Sequence, residues 1–180
     1  LHCLVITGNW GPGVTTDSVR YIATARHLTG GLGLVTHTGA PLVEHPPLYP
    51  VLLSAIERLT GVDPLVSARF VGAALMGAVV FAGGLLLLGY LRRMRWLALV
   101  SAGLLAVGGP LFETAISVWS EQLFLLLSLL FLLGLRTYLR KGDAGSLIAV
   151  SAAAALACLT RYAGGGLVVT GAVSILLLGR

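Results

Sequence analysis

Charge is scarce in this sequence. Acidic and basic side chains together make up 11% of it, against roughly 25% in an ordinary soluble domain. The remainder is apolar: 57% of residues are hydrophobic and the mean hydropathy is +0.94. That balance excludes a soluble globular protein and reads as an integral membrane protein. Cysteine is scarcer still. Cys3 and Cys158 lie far apart, and Cys158 sits inside an apolar run. Neither a disulfide framework nor a CxxC metal site follows from them. No basic n-region precedes an apolar stretch at the start, so no signal peptide is read there. The chain begins at Leu1 and stops at Arg180 directly after an apolar run. It is therefore expected to be the N-terminal fragment of a longer protein.

What is abundant is span-like sequence. A helix crossing the hydrocarbon core needs about 20 mainly apolar residues. Phe70 to Leu91 carries no charge and is the clearest span. Asp63-Pro64 suits its start, Asp as N-cap and Pro at the first helical position. Trp96 to Phe112 and Gln122 to Leu135 make the second and third, the third lengthening if its helix starts near Ile116. Ala144 to Thr160 and Tyr162 to Gly179 are short and make either a tight hairpin or a broken helix. Leu1 to Thr7 reads as the tail of an earlier span. The fold class is thus all-α, a polytopic transmembrane helical bundle. Residues 64–180 hold about five apolar spans, and 8–63 form a long outer loop.

The few charges orient these spans. Arg92, Arg93 and Arg95 sit after the first span, Arg136, Arg140 and Lys141 after the third, and Arg180 after the fifth, with Asp143 as the one acid among them. The positive-inside rule puts these turns in the cytoplasm. Segment 8–63 then faces outward, to the exoplasm beyond what is expected to be a bacterial plasma membrane, or to an organelle lumen. The net charge of +5 is accounted for by topology and calls for no nucleic-acid partner.

The outer loop is long for a mere connection. In TTDSVRYIATARHL, Tyr21, Ile22, Ala25 and Leu28 share one helical face, while Asp17, Arg20, Thr24 and His27 share the other. This predicts a surface helix, apolar side down on the membrane. PVLLSAIERLTG predicts a second helix. Pro50 takes its first position, Val51, Leu52, Ala55, Ile56 and Leu59 form its stripe, and Gly61 stops it. Between them runs a Gly- and Pro-rich loop ending in VEHPPLYP, where the prolines hold Glu44-His45 extended. A carboxylate, an arginine one turn on and a Glu-His pair at a membrane surface suit a phosphate-bearing lipid. Asp17 serves as general base on a hydroxyl. Glu44 and His45 share a divalent metal, and Arg20 neutralises phosphate oxygens. The plainer reading is that Asp17 caps its helix and pairs with Arg20.

These stretches, "DSVRYIATARHLTGGLG", "EHPPLYPVLL", "SARFVGA", "SVWSEQLFLLL" and "LTRYAGG", resemble in order and spacing the start of the GT-C membrane glycosyltransferases. The likeness is to the branch holding aminoarabinose transferases of lipid A and protein O-mannosyltransferases. The resemblance implies transfer of a sugar, with inversion, from a polyprenyl-phosphate donor to a glycan, lipid or protein acceptor on the outer side of the membrane. It puts the catalytic acid at Asp17, a site arginine at Arg20 and a metal-binding acid at Glu44. His45 stands where that branch has a lysine, which removes a permanent charge. Glu121 matches a second acidic position. Mannosyltransferases usually show an Asp-Glu pair where this chain has Asp17-Ser18. A further metal-ligand histidine of the family would lie beyond Arg180. No nucleotide-binding loop appears, and with a lipid-phosphate donor no nucleotide cofactor is expected. Arg69, one turn inside a span, is a candidate phosphate contact or a snorkelling side chain. Arg161 is a candidate as an ionisable group between apolar runs or simply lies in an outer turn. A secondary transporter, with polar groups at midplane, and a non-catalytic membrane scaffold are the alternatives.

Overall fold

The computed structural model of the protein describes residues 2–91 and 93–178. Leu1, Arg92, Gly179 and Arg180 lie outside the described residues, and with them two arginines of the expected basic turns and the ends of two expected spans. The elements are α1 (His2–Trp10), α2 (Thr16–Thr29), α3 (Leu48–Thr60), α4 (Pro64–Tyr90), α5 (Arg95–Val107), α6 (Gly109–Ile116), α7 (Glu121–Lys141), α8 (Ala144–Thr160), a single 3-10 turn (Tyr162–Gly164) and α9 (Gly165–Leu178). The architecture is all-α, with two isolated backbone bridges and no strand among the described residues.

By length and apolar composition, α4 and α7 each suffice to cross a membrane. α5 and α6 pass the same test only together, and they meet at an angle of 48°. The uninterrupted second span expected from Trp96 to Phe112 is therefore broken. Gly108 is extended at the break, and Pro110 sits at the start of α6, where it lacks the N–H that would continue α5 and its ring would crowd the preceding turn. α8 and α9 are shorter apolar helices. They form a tight hairpin rather than one broken helix, since Leu167 and Ile175 of α9 return to pack on Phe131, Val150 and Ala154. The turn is feasible because Gly164 has no Cβ; one there would press into the backbone of Ala157 and Cys158.

α4 starts as expected: Asp63 caps it, its side chain accepting from Leu65 N at 2.9 Å, and Pro64 occupies the first turn. α7 starts later than Ile116, because residues before it are used otherwise. Gly13 N donates to Ile116 O at 2.8 Å and Val118 N to Gly13 O at 3.0 Å. This short parallel bridge stitches the α1–α2 linker to the α6–α7 linker and holds Ser117 extended. α1 runs against the first half of α4, Cys3 Sγ lying 3.3 Å from the Met76 sulfur and Arg69 Nη2 donating to Leu4 O at 3.2 Å.

The two surface helices form where expected, but the apolar face of α2 meets protein, and α3 buries a different face from the one expected. Tyr21, Ile22 and Ala25 of α2 are buried against Tyr49 and Leu53 of α3, Ala68 of α4 and Val118. Thr24, expected on the polar face, is buried with them. So α2 is covered by protein and not laid apolar side down on lipid. α3 begins at Leu48 rather than Pro50 and buries Tyr49, Pro50, Leu53 and Ser54. Pro50 is tolerated there because first-turn N–H groups have no helical partner. The expected stripe turns outward, with Val51, Ala55 and Leu59 exposed. Aromatic volume explains the choice: burying a Tyr removes more surface than burying a Val, and Tyr49 meets Tyr21 edge-on at 5.3 Å. Gly61 ends the helix at φ +71°, a conformation that favours glycine.

The bundle therefore has two unlike ends. At one, Arg136 reaches back to Gly89 O at 2.5 Å and lies over the Tyr90 ring, bringing the last turns of α4 and α7 together near Arg93, Arg95, Arg140 and Lys141. At the other, α2, α3, the start of α7 and the α8–α9 turn converge.

Candidate functional site

The second end carries the chemistry. α2 is capped without its acid. Thr15 N donates to Ser18 Oγ at 3.0 Å and the two hydroxyls lie 3.1 Å apart, a reciprocal arrangement that satisfies the helix start. Asp17 is thus free of that duty. It is also free of Arg20, whose guanidinium pairs with Glu44. The capping-and-pairing reading of Asp17 does not describe this geometry. Instead Asp17 Oδ1 faces His45 Nε2 at 3.5 Å. That nitrogen is buried and has no hydrogen-bond partner, so it faces the carboxylate without being committed to it. The His45 ring leans on Tyr21 at 5.2 Å between centroids.

Tyr21 is the floor of the site. It is buried, and its hydroxyl lies 3.1 Å from Ser120 Oγ, just before α7. Burial pushes its phenol above the usual range, against the hydrogen bond to Ser120. Tyr49 beneath it is raised more strongly, again by burial. Neither phenol ionises at working pH, so both act as neutral walls.

The VEHPP loop is held from outside by the α8–α9 turn. Tyr162 donates its hydroxyl to Val43 O at 2.7 Å. Beside it, Arg161 pairs with Glu121 in the first turn of α7. Together Tyr21, Glu44, His45, Pro46, Thr160, Arg161 and Tyr162 line a cleft of about 220 Å³. Larger apolar concavities occur elsewhere, one of about 580 Å³ between α1, α4 and the α5–α6 break. That one has no Asp, Glu, Lys or Arg in its lining, and small-molecule sites need a few placed polar groups.

The structure brings Asp17, Arg20, Glu44 and His45 together, and Glu121 reaches the same end through Arg161. It does not bring Arg69, which is packed between α4 and α1 and lies over the Phe70 ring at 5.0 Å. Two members were not singled out from sequence. Tyr162 carried no signal of its own, and Tyr21 read only as part of the apolar face expected to lie on the membrane. Arg161 did carry one, as a cation between two apolar runs. As for a divalent metal, Glu44 is engaged by Arg20, and no three His, Cys, Asp or Glu side chains gather as ligands among the described residues. The groups present do not make a metal site on their own.

The chemical capacity is that of a carboxylate near an uncommitted imidazole, beside a small cleft lined by Arg161, with Arg20 paired to the cleft's Glu44. The family described as dolichyl-phosphate-mannose-protein mannosyltransferase matches residues 44–180, about three quarters of the chain. No curated protein and no solved structure matches it.

Proposed function

Because the chain belongs to the dolichyl-phosphate-mannose-protein mannosyltransferase family, membrane glycosyltransferases of the GT-C type, we propose that it moves a sugar from a polyprenyl-phosphate donor to a hydroxyl acceptor at the outer face of the membrane. The observation that supports this most is Asp17, a carboxylate that neither caps α2 nor pairs with Arg20 and that faces His45, itself part of the cleft lining.

In the proposed step the acceptor oxygen attacks the anomeric carbon from the face opposite the phosphate. A new C–O glycosidic bond forms and the bond from the anomeric carbon to the phosphate oxygen breaks. Asp17 takes the acceptor's proton, and polyprenyl phosphate leaves with the bonding electrons. One displacement inverts the anomeric centre. Charge growing on the leaving phosphate is met by arginine donors, which are strong where water is excluded. Arg20 is the nearer to Asp17 in sequence and is now held by Glu44, so Glu44 positions it. His45 shares the proton's path through its contact with Asp17. No step passes through a metal.

The deciding experiment is sugar release from radiolabelled polyprenyl-phosphate sugars by the full-length protein in proteoliposomes. Wild type is expected to turn over. Asp17→Asn, close to isosteric, is expected to lower kcat by roughly 10²–10⁴-fold with the fold intact. Equal turnover in both would move the base elsewhere, Glu121 first. An absence of turnover with every donor would remove the enzymatic reading.

A further inference from the structure

Arg161 belongs to two concavities at once. It lines the polar cleft with Glu44, His45 and Tyr162. It also lines an apolar groove of about 480 Å³ with Leu104, Gly108, Pro110, Leu111, Phe124 and Glu121. The groove exists because α5 breaks from α6 at Gly108, leaving a wedge against α7. Its rim is open, Leu104 and Leu125 both being exposed, on the flank of helices long enough to cross a bilayer. The guanidinium therefore stands at the passage from a hydrocarbon-lined channel to a charged cleft. Glu121 stands on the groove side of that passage and holds the guanidinium in an ion pair. Both side chains keep over a third of their surface exposed, 40% and 35%, so the pair is reachable and exchangeable.

We propose that Glu121 is a placeholder on Arg161, and that the phosphate of a polyprenyl donor takes its place when the lipid tail enters the α5–α6–α7 groove. The inference rests on the polyprenyl-phosphate reading and adds to it an ordered event. The occupant is fixed by complementarity. The groove takes a hydrocarbon chain, the one cation at its inner end takes one anionic head, and the cleft beyond takes the polar remainder. A carboxylate at the same place repels an arriving phosphate unless the two exchange on the guanidinium. Arginine suits such exchange because its planar fork matches carboxylate and phosphate alike.

The exchange predicts opposite effects from the two ends of one ion pair. Binding of a long-chain polyprenyl phosphate to the full-length protein in nanodiscs is measured with the matching polyprenol and inorganic phosphate as controls. Glu121→Gln is expected to tighten polyprenyl phosphate by about tenfold, and Arg161→Gln to weaken it by about tenfold or more, as charge-assisted bonds are lost or freed. Arg161→Lys is expected to fall between. Polyprenol binding should respond to none of them, and inorganic phosphate should bind far more weakly than the lipid. A merely structural pair would loosen binding from either end, and that result overturns the proposal. Equal affinity of all variants for polyprenyl phosphate overturns it too, as does inorganic phosphate binding as well as the lipid. If Arg161→Gln does not fold, the direction of Glu121→Gln decides. Wild type that binds no polyprenyl phosphate would take down the functional reading itself, which separates that failure from this one.

Discussion

Asp17 is informative for what its neighbours do in its place. Sequence alone allowed it to be a cap, and the competing hydroxyls of Thr15 and Ser18 settle that it is not. Asp63 is the contrasting acid. It does cap, accepting from Leu65 N, and it also receives a fork from Arg26 at 2.8 and 2.9 Å. The Arg26 hydrogen bonds hold its carboxyl below the ordinary carboxylate range, helped by the backbone N–H groups. A lowered folded-state value means the stability is present above that range and lost as pH falls through and below it. Thermal unfolding midpoints of wild type are expected to drop on acidification below about pH 4, and Asp63→Asn to flatten that slope. The pair is well exposed, so its share is at most about 1 kcal/mol. Asp17, Arg20, Glu44 and His45 were legible because they fall within one loop, where spacing and prolines speak. Arg161 was legible only as a lone cation between apolar runs, and Tyr162 not at all, because their partners Glu121 and Val43 lie 40 and 119 residues away. No local pattern encodes such a meeting.

Elements were legible where a local signal had no rival. Asp63-Pro64 and Gly61 set their helix ends as the sequence predicts. The α3 stripe failed for a nameable reason. Two periodic faces competed, and the face holding Tyr49 and Leu53 won by packing against Tyr21 and Ala25. Periodicity measures what repeats and is blind to what a neighbour offers. The second span failed at Gly108–Pro110, where hydropathy stays high while the backbone cannot stay helical. The α8–α9 hairpin shows how tightly an element pair depends on one residue. A Cβ at Gly164 would meet Ala157 and Cys158 main-chain atoms, which cannot rotate away. Gly164→Ala is expected to destabilise the protein by about 1–3 kcal/mol, the usual range for overpacking. Thermal denaturation in detergent measures it, with Gly165→Ala, which meets nothing within 4 Å, as the neutral control.

At the scale of the whole molecule the two ends divide the charges. Arg93, Arg95, Arg140 and Lys141 collect at one, and the cleft residues at the other. Under the positive-inside rule the cleft end is expected to face outward. In a background with Cys3 and Cys158 replaced, a cysteine at Thr38 is expected to react with an impermeant thiol reagent on intact cells. One at Lys141 is expected to react only after permeabilisation; the reverse pattern would invert the topology. The ties that close the cleft join distant stretches of chain: Tyr21 to Ser120 across 99 residues, Thr15 to Trp119 across 104, Val43 to Tyr162 across 119. Translation delivers the chain from its N-terminus, and contacts of such separation form late. While a ribosome is still making α7, Asp17 and His45 are already synthesised but have no far wall to meet. The turn at Tyr162 is the piece that shuts the door. A nascent chain stalled before that turn would carry most of the predicted site residues yet lack the enclosure that gathers them, so assembly of the proposed site is expected to wait for the α8–α9 hairpin.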